Sequence, residues 1–348
     1  NIHNTMEKYL SENIFDEYKD SMIYVERIQS NGILRAGIIG KIDLEEYDFN
    51  KGSTSQVRAT EATVIERIPP RIKVRDGAPL ELPHIMILID DDKKTVIEPL
   101  ESQKKDMKKL YDFNLMQGGG KISGYLIDNK KCADIISSLN KLGNAENFKE
   151  KYGSDNVLLY AMGDGNHSLA TAKEFYEQLK RNNPDKDFSN HPARYALAEI
   201  VNLHSPALDF EAIHRIVTET DVAKLTDVLY SELKLSDEPS EQSFRIVLNG
   251  KEKNVFIHNQ TSNLTVGSLQ NFIDKYLSEN KGKVDYIHGT DVVTKLSENE
   301  NSIGFILPDM GKEQLFPTVI KDGALPRKTF SMGHAEDKRY YIECRKIK

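Results

Sequence analysis

Nine residues, Tyr160-Ala-Met-Gly-Asp-Gly-Asn-His-Ser168, constrain this chain more than any other stretch. The apolar run Val157–Met162 reads as a buried strand. Gly163-Asp164-Gly165 breaks it, and a helix begins at once. Leu169, Ala172, Phe175, Tyr176 and Leu179 recur at helical spacing and predict a helix over about Leu169–Lys180. A strand, a glycine turn and a helix in immediate succession leave the first helical N–H groups and the positive dipole end exposed. That is a seat for phosphate or carboxylate. Gly163 and Gly165 let the backbone approach a ligand, and Asp164, Asn166, His167 and Ser168 add polar groups. The competing reading is a plain strand-to-helix turn, with Asn166 or Ser168 capping the helix.

Around this feature, strands and helices mix without strict βαβ alternation, which predicts an α+β fold. The expected elements include a helix over 3–13 and strands over Met22–Ile28 and Ile33–Ile39 joined through Asn31-Gly32. A strand over 84–90 buried on both faces and a charged helix over 98–112 follow. Beyond the site helix, Arg194–Asn202 reads as a strand, Asn249-Gly250 as a hairpin turn and Tyr340–Cys344 as a final strand. A chain of 348 residues suits two domains. A change of texture near residue 205 divides them into 1–205 and 206–348.

Charge and cysteine usage exclude several classes of function. The formal charge is −7, so no basic face for nucleic acid is expected. No apolar run reaches the roughly 20 residues of a membrane span. Cys132 and Cys344 are far apart and outside any CxxC pair, which argues against a disulfide framework or thiolate zinc and for a reducing cytoplasm. The nine histidines form no HxH or HExxH pattern. An acidic protein that binds phosphate must gather cations locally. This predicts that the segment from Arg58 to Arg71 lies beside the glycine turn. Other features carry weaker signals. Gly118-Gly119-Gly120-Lys121 lacks the spacing of a phosphate loop and reads as a turn. His214-Arg215 reads as a surface or core pair, Thr290 or Asp291 as a helix cap, and Pro326–Ser331 as a basic loop.

Several separated segments together carry a resemblance. They are Gly163–Ser168, Lys41–Phe49, Val201-Asn202-Leu203 through His214-Arg215, Tyr286–Asp291, Gly304–Pro308 and Pro326–Ser331. In this order they resemble the DUF-1015 family of bacterial and archaeal proteins of unknown function, over nearly the whole chain. The resemblance implies a ParB/sulfiredoxin-like mixed-sheet domain followed by a second α+β domain, a fold shared with ADP-dependent free-serine kinases. Family members carry a further N-terminal segment. With Asn1 in place of an initiator Met, part of the site is expected in such a segment.

The family pattern at the helix start is Asp-Gly-His-His-Arg. Asp164, Gly165 and His167 match it, whereas Asn166 replaces the first His and Ser168 the Arg. A guanidinium is the usual bidentate phosphate clamp, so its charge must come from elsewhere, with Arg58, Arg215 and Lys328 as candidates. The implied function is a nucleotide- or phosphate-dependent enzyme of small-molecule metabolism. Its concrete form is a small-molecule kinase transferring phosphoryl from ATP or ADP, with magnesium, to the hydroxyl of a free amino acid. In that scheme Gly163, Gly165, Asn166 and Ser168 seat the phosphates, and His167 hydrogen-bonds them or shuttles a proton. Asp164 holds the metal or orients His167, and Glu61 is the candidate general base. The alternative is a non-catalytic nucleotide- or anion-binding regulator, which needs no carboxylate at the pocket.

Overall fold

The computed structural model describes all residues except 83–84, 334–336 and 338–339. Two compact units divide the chain: Asn1–Leu208 with Gly333–Lys348, and Asp209–Met332. The sequence-based boundary at 205/206 falls three residues before this division. It also left the last sixteen residues in the second domain, whereas they belong to the first unit. Their side chains explain why. Arg345 pairs with Glu81 (2.7 Å), and the Tyr111 hydroxyl donates to the buried Glu343 carboxylate.

The first unit is built on a nine-stranded mixed sheet among the described residues. Its strands are β1 (Met22–Ile28), β2 (Leu34–Asp43), β3 (Tyr47–Asp48), β4 (Val57–Arg58), β6 (Met86–Ile89), β7 (Lys109–Asn114), β8 (Lys121–Ile127), β9 (Tyr160–Asp164) and β10 (Tyr195–Asn202). A short strand β5 (Leu80–Glu81) pairs separately with the chain's last strand, Arg345–Lys346. The spatial order is β3-β4-β9-β6-β10-β2-β1-β8-β7. Parallel pairs join β3 to β4, β4 to β9 and β6 to β10; the other neighbours are antiparallel. An α+β fold with a mixed sheet is therefore present.

The central strands show why. All four residues of β6 are buried, as its unbroken apolar run predicts for a strand covered on both faces. The expected strand over 84–90 is thus present as Met86–Ile89; His84 lies outside the described residues. On one face Ile87, Met162, Ala196 and Ala198 meet Leu169, Ala172, Phe175 and Tyr176 of the helix Asn166–Asn182. Elsewhere Tyr24, Ile38, Ile89 and Ile200 pack with Ile135 and Leu139 of the helix Asn129–Leu142.

The hairpin loops separate two turn chemistries. At Asn249-Gly250 both residues have positive φ (48° and 72°), which is the two-residue turn the dipeptide favours. At Asn31-Gly32 only Gly32 is left-handed (φ 81°). The Gly32 N–H donates to the Gln29 carbonyl, and the Gln29 N–H to the Ile33 carbonyl. This is a three-residue loop with a glycine bulge, not the expected two-residue turn. Two further expectations fail. Residues 98–112 form a short helix, Pro99–Gln103, and a 3-10 turn, Lys104–Asp106, before the chain becomes edge strand β7, whose charges face solvent and blunt the sheet edge. Tyr340–Cys344 is not a strand; its side chains anchor it instead.

The second unit contains a five-stranded antiparallel sheet. Its order is Lys251–Ile257, Gln242–Leu248, Ile303–Ile306, His214–Thr218 and Lys283–Ile287. Phe210–Ala212 pairs apart from it with Phe330–Met332. The helix Thr290–Leu296 starts at Gly289 with no side-chain cap from either Thr290 or Asp291.

Ile87 is fully buried at the centre of the first unit's core. Ile87→Ala should lower unfolding stability by about 2–5 kcal/mol, read as a reduced midpoint in urea denaturation. A change within error would place the main core elsewhere.

Candidate functional site

β9 ends at Asp164, and Gly165 turns the chain into the helix Asn166–Asn182. Gly165 has φ 87° and ψ 21°, the left-handed region that a side chain rarely occupies. The Asp164 carboxylate accepts the Gly165 N–H at 2.7 Å. Among the described residues no side chain caps the helix start. The capped-turn alternative therefore fails here, because Asn166 uses its oxygen otherwise. Asn166 Oδ1 accepts the Thr60 N–H at 3.2 Å. The Ser168 N–H closes onto the Gly165 carbonyl at 2.9 Å, which leaves the N–H groups of Asn166 and His167 as the ones without an intrahelical partner.

The segment after β4 lies against this turn, as the sequence predicts. Thr60, buried, donates its hydroxyl to the Met162 carbonyl (2.8 Å). The Val64 N–H donates to His167 Nε2 at 3.3 Å. Pro69-Pro70 then occupies the first turn of the helix Ile68–Arg75, where a missing N–H costs nothing. Ile68 is buried and Ile72 packs on the core cluster under the site helix, while Arg75 pairs with Glu81 at 2.6 Å. An open cleft of about 430 Å³ results, lined by Glu61, Arg71, Asp164, Gly165, Asn166, His167 and Ser168. Its volume lies in the range of small-molecule sites.

The structure thus brings together Glu61, Asp164, Gly165, Asn166, His167 and Ser168 from the predicted set. Gly163 sits within β9 and does not line the cleft. The three cations expected to replace the family's arginine do not line it either. Arg58 is buried, and its guanidinium donates to the carbonyls of Ser55 (2.7 Å), Asn156 (2.9 Å) and Val157 (3.3 Å). It fastens β4 to the chain leading into β9. Arg215 lies in the second unit, fully buried, donating to Gln270 Oε1 (3.1 Å) and to the carbonyls of Ile213, Arg327 and Lys328. Burial pulls its guanidinium down to about 10. Lys328, also in the second unit, adopts φ 55° and offers its carbonyl to Arg215. All three are corrected to framework positions.

Sequence reasoning missed Arg71 as a specific site residue, although it closes the segment the sequence singles out. Arg71 lines the cleft, and its guanidinium donates to the Arg67 carbonyl at 3.3 Å. The available signal was its place one residue after Pro69-Pro70, on the first turn of a helix docked beside the glycine turn. Asp164 and Glu61 are two carboxylates on the cleft. Among the described residues no group of three or more His, Cys, Asp or Glu is arranged to hold a metal. Magnesium carried on a nucleotide keeps several waters and needs only one or two protein carboxylates, so the pair suits that role.

His167 is held below its ordinary value of 6.5, first by burial and then by the nearby charges of Arg67 and Arg71. Its Nε2 accepts from Val64, which places the neutral imidazole's proton on Nδ1. A depressed histidine stabilises the fold above about pH 6.5, and this contribution is lost as pH falls through its lowered value. The imidazole resonance should therefore titrate below 6.5, and Arg71→Gln should move the midpoint upward. A midpoint at or above 6.5 in the unaltered protein would contradict the local field.

Cys132 is buried and Cys344 half-buried, and burial pushes both thiols up, as expected for inert thiols. No helix among the described residues is long and apolar enough to cross a membrane.

Several solved structures align with much of this chain at low similarity. A conserved hypothetical protein from Pyrococcus furiosus aligns over 89% of this chain and 95% of its own, at 12% identity and a TM-score of 0.42. A free serine kinase in complex with AMP aligns over 85% of this chain and 87% of its own, at 13% identity and a TM-score of 0.42. A mutant free serine kinase in complex with ADP gives the same coverage and identity with a TM-score of 0.43. At this level of similarity nothing about the chemistry of the cleft is carried over from them. No curated protein matches the chain significantly. The sequence profile of DUF1015, a family described as proteins of unknown function, matches residues 1–276, and the chain belongs to that family.

Proposed function

We propose that the cleft binds the phosphates of ATP or ADP and transfers a phosphoryl group to the hydroxyl of a free amino acid. The observation that carries this reading is the meeting of four kinds of group in one open cleft. They are an uncapped helix start, the Arg71 guanidinium, the His167 imidazole and the Glu61 and Asp164 carboxylates. Phosphoryl transfer asks a protein mainly for positioning and charge stabilisation, and these groups supply both.

In this scheme the N–H groups of the first helical turn and Arg71 receive phosphate oxygens. His167, with Nε2 turned to Val64, presents its Nδ1–H to the same anion. Glu61 takes the proton of the substrate hydroxyl as its oxygen attacks the terminal phosphorus. The phosphorus–oxygen bond to the departing nucleotide breaks, and the nucleotide leaves with the bond's electron pair. Magnesium, held through Asp164, would neutralise charge on the phosphates. Ser168, in place of a guanidinium, leaves Arg71 as the cleft's cation. Carboxylates facing the cleft favour a catalyst over the alternative of a regulator that only binds an anion, since a sensor has no need of a general base.

ADP or ATP with magnesium, at about 100 times its dissociation constant, should stabilise the native state by ~2.7 kcal/mol. That corresponds to a rise of about 5 °C in melting temperature, and inorganic phosphate should compete. A panel of nucleotides that leaves the midpoint unmoved would remove the phosphate reading. Glu61→Gln separates catalyst from sensor. It should abolish nucleotide-dependent phosphorylation of free serine while leaving nucleotide binding within about threefold, as expected for a group needed chiefly in the transition state. Equal turnover in variant and parent would exclude Glu61 as the base.

A further inference from the structure

The segment that carries Glu61 is mostly irregular, with Glu61 itself in an isolated β-bridge. β4 ends at Arg58, and the short helical turn Ile65–Arg67 begins four residues after Glu61. Between them the chain is tied to the site turn at two points. Thr60, immediately before Glu61, is 2% exposed and makes two hydrogen bonds. Its N–H goes to Asn166 Oδ1 and its hydroxyl to the Met162 carbonyl of β9. Three residues after Glu61, the Val64 N–H goes to His167 Nε2. Consecutive side chains of the helix start therefore hold the main chain before and after Glu61. Asn166 faces the cleft, but its oxygen is engaged by a main-chain N–H of the opposite wall.

We infer that Asn166 is a positioning residue, which fixes the Glu61 carboxylate over the cleft by holding the Thr60 N–H. Its catalytic meaning rests on the phosphoryl-transfer reading above; its structural meaning does not. An amide oxygen suits the task. It accepts from the N–H without bringing a negative charge to a cleft that must receive an anion, whereas a carboxylate at the same place would repel it. His167 completes the bracket only while neutral, because protonation of Nε2 removes the acceptor. The groups whose charge acts on it from the facing segment are Arg67 and Arg71, and both favour the neutral form.

Hydrogen–deuterium exchange of the ligand-free protein, followed by mass spectrometry over 59–65, tests the placement directly. Asn166→Ala should speed exchange in that segment about tenfold, the worth of one lost hydrogen bond. Asn166→Asp, which keeps an acceptor oxygen, should restore protection. The unaltered β6 and β10 peptides serve as the control for folding. In the phosphorylation assay, Asn166→Ala should lower kcat by about 10–100-fold, as a misplaced catalytic group does, with KM for the nucleotide nearly unchanged. Unchanged exchange over 59–65, or a raised KM at constant kcat, would overturn the inference and make Asn166 a direct ligand contact. If the parent protein neither binds nor turns over nucleotide, the kinase reading falls, and the exchange experiment still decides whether Asn166 holds the segment.

Discussion

Ile87 of β6 and Met162 of β9 stand opposite each other in the sheet, both fully buried beneath the Asn166–Asn182 helix. The geometry of the cleft depends on this contact. Because the helix presents Leu169, Ala170, Ala172, Phe175 and Tyr176 to the core, its first turn cannot slide or rotate without exposing apolar surface. The strand end and the helix start are thus held at a fixed angle, and Gly165 makes the bend in a backbone conformation open to glycine. A polar site on this turn inherits the rigidity of the core below it. Sites held on rigid elements keep their groups within the small tolerances that catalysis needs.

The opposite wall is assembled differently. It is a loop followed by a short helix, and it owes its place to two apolar side chains and a few directed bonds. Ile68, Ile72 and the Arg75–Glu81 pair dock the helix, and the Thr60 and Val64 bonds draw the preceding loop onto the turn. The cleft therefore has one wall set by packing and one held by packing of its helix together with hydrogen bonds of its loop. In a chain of net charge −7, this second wall also gathers local positive charge, since Arg67 and Arg71 both act on His167. Anion binding by an acidic protein requires such a concentration of cations, and their effect is strongest where water is partly excluded.

The arginines illustrate how function and framework divide. Arg58 and Arg215 direct their guanidinium donors to main-chain carbonyls and an amide oxygen. A planar cation with five donors can fasten several carbonyls at once, which suits it to tying irregular chain segments together. Burial disfavours its charge, as the lowered values of both residues show. Arg71, exposed at the edge of the cleft, leaves its guanidinium accessible to an anion. Residue type and charge alone do not distinguish these roles.

Patterns local to the chain are legible in the residues alone. The apolar run of β6, the helical spacing after Ser168, the glycine turn and the Asn249-Gly250 hairpin each depend on neighbours within a few residues, so periodicity and turn chemistry suffice to read them. The candidate site is legible to the same extent: Asp164 to Ser168 are contiguous, and the charge of the segment ending at Arg71 places it beside them. What lies beyond the sequence is every feature set by distant partners. Residues 98–112 carry a charged pattern that suits a helix, yet pairing with β8 makes 109–114 an edge strand. The last sixteen residues return to the first unit through Glu343 and Arg345, more than a hundred positions from the strands they meet. Arg58 and Arg71 lie thirteen positions apart and carry the same charge, and only tertiary structure turns the first onto carbonyls and leaves the second at the cleft. The sequence by itself determined which short segments could form a strand, a turn and an open helix end, because those preferences are local. The tertiary structure decided which side chains face that end, because burial and long-range hydrogen bonding are settled only when the chain is packed.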